Sequence, residues 1–500
     1  MEDIVRFGFL KIVMLTIIVL FSISMLFIFL YSIAQAHLVY RYVKAKRKPF
    51  LSPLVNIEPL VTIQLPVFNE RYVIERLIDA VLKLDYPKNK IEIQVLDDST
   101  DSTTSIIAAK VKAAQQQGFD IVHIHRVNRE GFKAGALKEA MNIAKGEFIA
   151  IFDADFIPDA SFLKNTLCHF SNDNIGMVQT RWEHLNKDYS LLTKLQAFGL
   201  DAHFTIEQKG RNVGGSFINF NGTAGIWRKA SIYDAGNWNA DTLTEDFDLS
   251  YRAQLKGWKF VYLEDITSPA ELPPVMGALK SQQYRWTKGG AENARKLLGK
   301  VLKSDVSFGI KFHAFFHLMN SAVFISIIVS ALISVPLLML KSYFPEYEYL
   351  LNASGTFLLS FIVISILYFV ASLATSNDNK KGWIYFFKTF PMFLMVSMGL
   401  SLHNAIAVIE GYIGRKTPFV RTPKFNVLSQ DDKWEDNGYI GYHISFLTIM
   451  EGLLVLYFLF GIIQGFVLHD FSLLIYHIML FVGFSVVFYY SVFQSKYINQ

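Results

Sequence analysis

Two carboxylate signatures each close an apolar run in this chain. Asp97-Asp98 ends Ile91-Glu92-Ile93-Gln94-Val95-Leu96, and Asp153-Ala154-Asp155 ends Glu147-Phe148-Ile149-Ala150-Ile151-Phe152. Both runs read as buried strands, and ligands of open α/β sheets bind at the carboxyl ends of strands. The two signatures therefore meet in one crevice although they stand far apart in sequence. Hard carboxylate oxygens suit Mg²⁺ or Mn²⁺ carrying a diphosphate. Asp153 and Asp155 are the metal candidates, one holding the ion while the other reaches its water or a ribose hydroxyl. In isolation either signature would read as the start of a turn, where Asp is common. Their placement directly after strands argues for chemistry, with Asp97 and Asp98 as nucleoside contacts.

Four further sets follow. Arg129-Glu130-Gly131-Phe132-Lys133-Ala134-Gly135 places Lys133 near a helix start, where unpaired N–H groups and the dipole attract anions. Lys133 is then a diphosphate contact, or else a solvated cation on a capped surface helix. Thr244-Glu245-Asp246 reads as an N-cap followed by acids in a first helical turn. A carboxylate held there is rigidly aimed, as a general base must be. Asp246 is the candidate base and Glu245 its helper.

Gln282-Gln283-Tyr284-Arg285-Trp286 lies on a helix after Leu272-Pro273-Pro274. Arg285 can grip phosphate oxygens bidentately, and Trp286 offers a flat face to a sugar ring. Both residues also suit a membrane interface. Phe217-Ile218-Asn219-Phe220-Asn221-Gly222-Thr223 has the makeup of a sugar-acceptor loop, centred on Phe220, Asn221 and Gly222, and equally that of a strand and turn.

The elements that must position these groups alternate. Val61 to Leu65 reads as a strand stopped by Pro66, before a loop that carries Glu70 and a helix with Val73, Leu77, Ile78, Val81 and Leu82 facing inward. Helices over about 102–117 and Gly135 to Ala144 flank a strand at Ile121 to Ile124. This alternation predicts a βαβ array with a parallel sheet.

A composition that is 52% hydrophobic, with mean hydropathy +0.29, is too apolar for an ordinary soluble protein of this size. Segments near 9–32, 320–340, 356–376, 444–467 and 472–494 each suffice to cross a bilayer, which takes about 20 residues. Residues 384–409 carry Lys388, Pro391, Gly399, His403 and Asn404 and read as a broken, re-entrant or interfacial segment that returns to the cytoplasm. Residues 306–319 read as an interfacial amphipathic helix. Three regions result: 1–48, an N-terminal span with a basic flank; 49–304, a catalytic domain; and 305–500, interfacial and membrane helices with a loop at 411–442. Arg41, Lys44, Lys46, Arg47 and Lys48 follow the first span, which places the catalytic domain in the cytosol. A net charge of +5 points to anionic head groups rather than nucleic acid, and the single Cys168 excludes an intrachain disulfide.

The order of these motifs resembles the family-two glycosyltransferases. The Gln282, Arg285, Trp286 pattern is similar to the processive branch, cellulose synthase and its relatives. Phe132 to Leu137, Val178-Gln179-Thr180-Arg181-Trp182, Phe220 to Gly225 and Gly257-Trp258-Lys259-Phe260 look like the cellulose-synthase-like mannan, glucomannan and glucan synthases. The resemblance implies a GT-A (Rossmann-like) α/β catalytic domain with transmembrane helices on both sides. It implies a nucleotide-sugar site at Pro66, Glu70, Asp97, Asp98, Lys133, Asp153, Gln282 and Arg285, and acceptor contacts at Trp286, Phe220, Asn221 and Gly222. Phe419-Val420-Arg421-Thr422-Pro423-Lys424 resembles the gating loop of cellulose synthase. Arg421 stands where that motif carries valine, so only Thr422 and Lys424 are carried over.

The implied function is inverting transfer of hexose from UDP-glucose or GDP-mannose to a growing β-linked glycan. It would work in a multi-pass protein of the plasma, inner or Golgi-type membrane, coupled to export. Two rivals stand beside it: single addition to a lipid acceptor, and a transporter or scaffold with a degenerate transferase domain. A transporter needs ionisable groups along a path, and the full spans are poor in them.

Overall fold

The computed structural model describes residues 2–46, 58–347, 349, 355, 359–434 and 444–496. Strands β1 (Val61–Val67), β2 (Ile91–Asp97), β3 (Asp120–His125), β4 (Phe148–Ile151), β5 (Ile175–His184), β6 (Gly225–Arg228) and β7 (Lys259–Ala270) form one sheet in the order β3-β2-β1-β4-β6-β5-β7. The first four run parallel, as the alternation predicts. The second half departs from that expectation, because β6 is antiparallel to both β4 and β5. After β5 the chain returns at the carboxyl end of β4, where Gly225 faces Ile151, so the next strand must run back down.

Pro66 does not stop β1. The ladder to β4 ends at Gln64, so beyond that point a missing N–H on that side costs no sheet bond.

Helices α2 (Ile74–Leu82) and α3 (Thr103–Gln116) cover one face of the sheet. Leu77, Ile78, Val81, Ile107 and Val111 pack there on Val61, Ile63, Leu65 and Ile93. Helix α4 (Phe132–Ala140) covers the other face, where Leu137 meets Ile149, Ile151 and Trp227. It begins three residues ahead of the expected Gly135. Gly131 takes a left-handed φ of 70° at its N-cap, which brings Lys133 into the first turn. Every residue of β2 is buried, so its terminal carboxylate rides on an immobile strand.

The chain continues through α5 (Phe162–Leu167) and α6 (Leu191–Ala202), which passes by a π-helical turn, His203–Gln208, into α7 (Lys209–Val213). Then come α8 (Lys229–Asp234), α9 (Glu245–Leu255), α10 (Met276–Lys303) and α11 (Phe308–Leu318). The stretch 306–319, expected to be helical, holds α11, on which Phe308 is exposed while His313, Ala314 and Leu318 are buried.

Among the described residues, four helices are long and apolar enough to cross a membrane: Gly8–Ala45, Asn320–Tyr343, Phe446–Val467 and Leu474–Gln494. Asn379–Gly399 and Ser401–Ile413 form a pair bent by 51°, which agrees with a broken segment over 384–409. The expected span at 356–376 appears as the shorter Leu359–Ala374, with 356–358 outside the described residues. Arg47 and Lys48 of the basic flank, and 435–443 around the end of the expected 411–442 loop, also lie outside them.

Helix α10 joins the two halves. Lys280 pairs at 2.6 Å with Glu451 of the 446–467 helix, whose side chain is fully buried, and the Met276 N–H donates to Gln494 Oε1 at 2.7 Å. Removing one member of a buried pair strands the other charge and costs about 3–5 kcal/mol. Glu451→Ala should therefore lower the thermal unfolding midpoint in detergent, and an unchanged midpoint would show that the pair carries no stability.

Candidate active site

The carboxyl ends of β1, β2 and β4, the start of α9 and the face of α10 surround one cleft. Its walls include Pro66, Glu70, Asp98, Lys133, Asp153, Asp155, Asn221, Gly222, Glu245, Asp246, Gln282, Arg285, Trp286, Thr422 and Lys424. Most of the residues singled out from sequence are thus brought together. Asp97 and Phe220 are not, and their expected ligand contacts are corrected here. Side chains alternate along a strand, so Asp97 turns away from Asp98. Its Oδ2 lies 2.9 Å from His123 Nε2 and 3.2 Å from His125 Nδ1, while Oδ1 accepts the Ser99 N–H at 2.8 Å. Burial alone would raise this carboxyl, but the hydrogen bonds from His123 and Ser99 outweigh it and hold it at about 2. Phe220 is buried edge-on against Trp227, and its N–H donates to Ser250 Oγ. Both residues position their neighbours.

Asp98 faces the cleft and receives Arg126 in a two-pronged grip, Nε at 2.7 Å and Nη2 at 2.6 Å. Arg129 lies with its guanidinium 3.3 Å from the centre of the Phe68 ring and 5.9 Å from that of Phe419. Phe419 in turn stacks on Phe132 at 5.6 Å. An aromatic and cationic shelf therefore borders the Asp98 end.

Each carboxylate of the Asp-x-Asp pair carries an ammonium. Lys133 Nζ lies 2.5 Å from Asp153 Oδ1 and donates to the Gly222 carbonyl at 2.8 Å. Lys424 Nζ lies 2.5 Å from Asp155 Oδ2. Asp97, His123 and His125 form a second group with metal-ligand chemistry, their ligand atoms within 4.8 Å of one another, but behind the cleft wall.

The start of α9 is clamped from α10. Asn293 Nδ2 donates to Thr244 Oγ1 at 2.9 Å, and Glu292 accepts the Leu243 N–H at 2.7 Å. A Cβ at Gly289 would meet the Thr244 side chain at 2.5 Å, so only glycine allows this approach. Thr244 stands at the N-cap, yet its side chain serves α10 instead of capping α9, which corrects the sequence reading.

Asp246 Oδ1 accepts the Phe247 N–H at 2.8 Å. Its Oδ2 faces Gly222, whose φ is +79° and where a Cβ would sit 3.1 Å from that oxygen and 3.5 Å from Lys133 Nζ. Burial, and then the neighbouring Glu245, pushes Asp246 up to about 7. Burial likewise raises Glu245, and it raises Glu70 to about 8 against the opposing pull of Arg421. Gly222→Ala would strain the turn and crowd the base. We expect a loss of about 10²-fold in initial rate with a melting midpoint lowered by the strained turn; near-normal rates would refute the crowding.

The described part of the expected gating loop lies down on the cleft. Arg285 Nη2 donates to Thr422 Oγ1 at 2.6 Å, and Arg285 sits 4.8 Å from the Phe419 ring centre. Arg421, the departure from the valine of the motif, pairs with Glu70 at 3.0 Å and donates to the carbonyls of Phe68 and Asn69. The Glu271 carboxylate accepts the N–H groups of Phe425 and Asn426 at 2.9 and 3.1 Å. Arg126, Glu271, Trp182 and His184 escaped the sequence reading as site residues. Arg126 stands just after a strand in no recognisable pattern, and Glu271 ends a strand-like run as a single acid.

Residues 59–289 match the family model described as Glycosyltransferase like family 2. The chain carries a family-two glycosyltransferase domain. Two curated relatives extend the likeness. Glucomannan 4-beta-mannosyltransferase 1 of Oryza sativa subsp. japonica is 40% identical over 318 residues, covering 60% of this chain and 61% of that protein. Glucomannan 4-beta-mannosyltransferase 7 of Arabidopsis thaliana is 43% identical over 254 residues, 49% of this chain and 45% of that protein. The matched region thus spans less than two thirds of either relative. A solved mannosyltransferase from Pyrobaculum calidifontis, in complex with GDP-Man and Mn²⁺, superposes with a TM-score of 0.51 at 18% identity, covering 79% of this chain and all of that one. The glycosyltransferase domain therefore has the mixed-sheet GT-A fold that its motif order implied.

Proposed function

We propose that this protein is an inverting hexosyltransferase that extends a β-linked glycan from a nucleotide sugar at a membrane surface. The observation that carries this reading is one cleft with a carboxylate base, Asp246, on one wall and a diphosphate-binding set, Lys133 and Arg285, on the others. Asp246 takes the proton of an acceptor hydroxyl as that oxygen attacks the anomeric carbon. The bond from that carbon to the diphosphate oxygen breaks, its electron pair leaves with the diphosphate, and Lys133 and Arg285 neutralise the charge. A single displacement turns an α-linked donor into a β-glycoside, and no protein nucleophile is needed.

Asp153 and Asp155 offer hard oxygen donors one residue apart at the end of β4, which fits Mg²⁺ or Mn²⁺. Such an ion, when bound, supplies further positive charge to the diphosphate. Asn221 and Gly222 face the acceptor side, Trp286 stacks the acceptor's terminal sugar, and Gln282 with Pro66 and Glu70 borders the donor. The names of the rice and Arabidopsis relatives favour mannose over glucose and a bond to the 4-hydroxyl. Arg41 and Lys44 favour a cytosolic catalytic domain, so that polymer leaves through the membrane helices.

The test is turnover by the purified full chain across nucleotide sugars, followed by linkage analysis. GDP-mannose or UDP-glucose should yield labelled polymer insoluble in organic solvent. Label that extracts wholly into the organic phase would replace this reading with a lipid acceptor. Transfer from no donor would overturn it in favour of a degenerate transferase domain.

A further inference from the structure

The edge strand β3 ends in His123-Ile124-His125, and neither histidine lines the cleft. Side chains two apart on a strand share a face. Both rings therefore stand on the side of β3 where Ile121 joins the core under α2 and α3. The neighbouring strand supplies a third group. Asp97 is the register partner of His125, and Val95, two residues earlier, is that of His123. Asp97 Oδ2 thus lies 2.9 Å from His123 Nε2 and 3.2 Å from His125 Nδ1, and the three atoms are all within 4.8 Å of one another. The two rings are tilted by 58° with centroids 6.1 Å apart, so they converge on one oxygen without stacking.

One histidine would satisfy that oxygen. Two, from alternate positions of one strand and aimed at the same atom, make a ligand set. A tetrahedral ion with bonds of about 2.0–2.1 Å holds its ligand atoms about 3.3 Å apart, close to the two separations found here. Zinc-type ions take imidazole nitrogen together with carboxylate oxygen, whereas Mg²⁺ and Mn²⁺ favour oxygen alone. The chemistry of this set therefore differs from that of Asp153 and Asp155. Asp97 Oδ1 accepts the Ser99 N–H at 2.8 Å, the kind of outer contact that steadies a metal-binding carboxylate. Entry is from the sheet edge, where the His125 side chain is 37% exposed and that of His123 16%, with Asp97 fully buried behind them.

We infer that Asp97, His123 and His125 form a binding site for Zn²⁺ or a similar borderline ion, separate from the metal candidates of the cleft. Each imidazole binds through the nitrogen that faces Asp97 and keeps its proton on the other, and water completes the coordination. The site lies behind the cleft wall, out of reach of the diphosphate. The ion acts through the strands: it ties the end of β2, just before Asp98, to the edge strand β3. None of this depends on the transferase reading above.

The experiment uses the full chain in detergent, made without a polyhistidine tag and stripped with chelator. Zn²⁺ followed by calorimetry, and Co²⁺ followed by visible absorption, should show a bound ion with the intense bands of four-coordination. His123→Gln and His125→Gln should each lose that equivalent and its bands, while Asp155→Asn keeps both. Saturating Zn²⁺ should raise the melting midpoint of wild type and Asp155→Asn by about 5 °C, and that of the histidine variants much less. X-ray absorption of the wild-type Zn²⁺ complex needs no variant to fold, and should show two imidazoles at about 2.0 Å. A wild type that binds no such ion would overturn the site, as would bands kept by both histidine variants. A shell of oxygen alone, or a loss confined to Asp155→Asn, would move the ion to the cleft and overturn it as well.

Discussion

Asp246→Asn should lower turnover by about 10³-fold, within the range that general-base catalysis contributes, while nucleotide binding changes little. The amide keeps the shape and can still accept the Phe247 N–H, but it cannot take a proton from an acceptor hydroxyl. The pH dependence gives a second handle. Burial and Glu245 hold Asp246 near 7, so the competent carboxylate forms as pH rises through that value. In wild type, kcat/KM should climb with pH up to about 7 and then level off, whereas the residual activity of the variant should lack that limb.

Stability should move in the opposite sense. A free Asp ionises near about 4, so folding above that pH must oppose ionisation of this group. The penalty is absent below pH 4 and fully present above 7. The uncharged variant should therefore melt no lower than wild type at pH 8. Retained turnover would remove Asp246 from the base role, and a markedly lower midpoint would mean that the lost rate reports damage to the fold.

How far the residues themselves carried this reading depends on the range of each interaction. Asp98, Asp153, Asp155 and Asp246 were legible because each sits at the junction of a strand or helix with a loop, and such junctions follow from local periodicity and turn chemistry. Four of the five expected long apolar helices were legible from length and hydropathy, as was the break over 384–409, while the segment at 356–376 is the shorter Leu359–Ala374. Asp97 misled because two adjacent acids look alike in sequence, while the strand period sends only one of them to the cleft. Phe220 misled because an aromatic beside Asn221 and Gly222 looks like a sugar platform until Trp227 and Trp238 claim it as core. The reversal of β6 depends on where α6 and α7 deliver the chain, which no local pattern encodes. Arg126 and Glu271 act through partners distant in sequence, Asp98 and the N–H groups of Phe425 and Asn426. Arg421 is a departure from the family pattern whose meaning appears only when Glu70 and the carbonyls of Phe68 and Asn69 are found around it.

Asp155→Asn should cost turnover about 10²-fold or more, the scale of losing one preorganised charge contact to the leaving group. The argument starts from the two ammonium groups. Lys133 on Asp153 and Lys424 on Asp155 already neutralise both carboxylates, each at 2.5 Å. Lys424 would share the Asp155 carboxylate with a divalent cation held there, so it would weaken that cation's hold while adding its own charge beside the diphosphate. Loop and metal would thus compete for one carboxylate and would cooperate once the donor is bound.

Three measurements follow from this competition. Asp155→Asn should raise the Mn²⁺ concentration for half-maximal rate. Lys424→Met should lower it, since the competitor is gone, yet also lower kcat, since the loop no longer adds its charge to the leaving group. A chelator should silence wild type, and added Mg²⁺ or Mn²⁺ should restore it. Turnover that ignores the chelator would refute the metal assignment and leave Lys133, Arg285 and Lys424 as the whole of the diphosphate's counter-charge. Asp155→Asn would then act only by unpairing Lys424, and it should add no further loss to that of Lys424→Met.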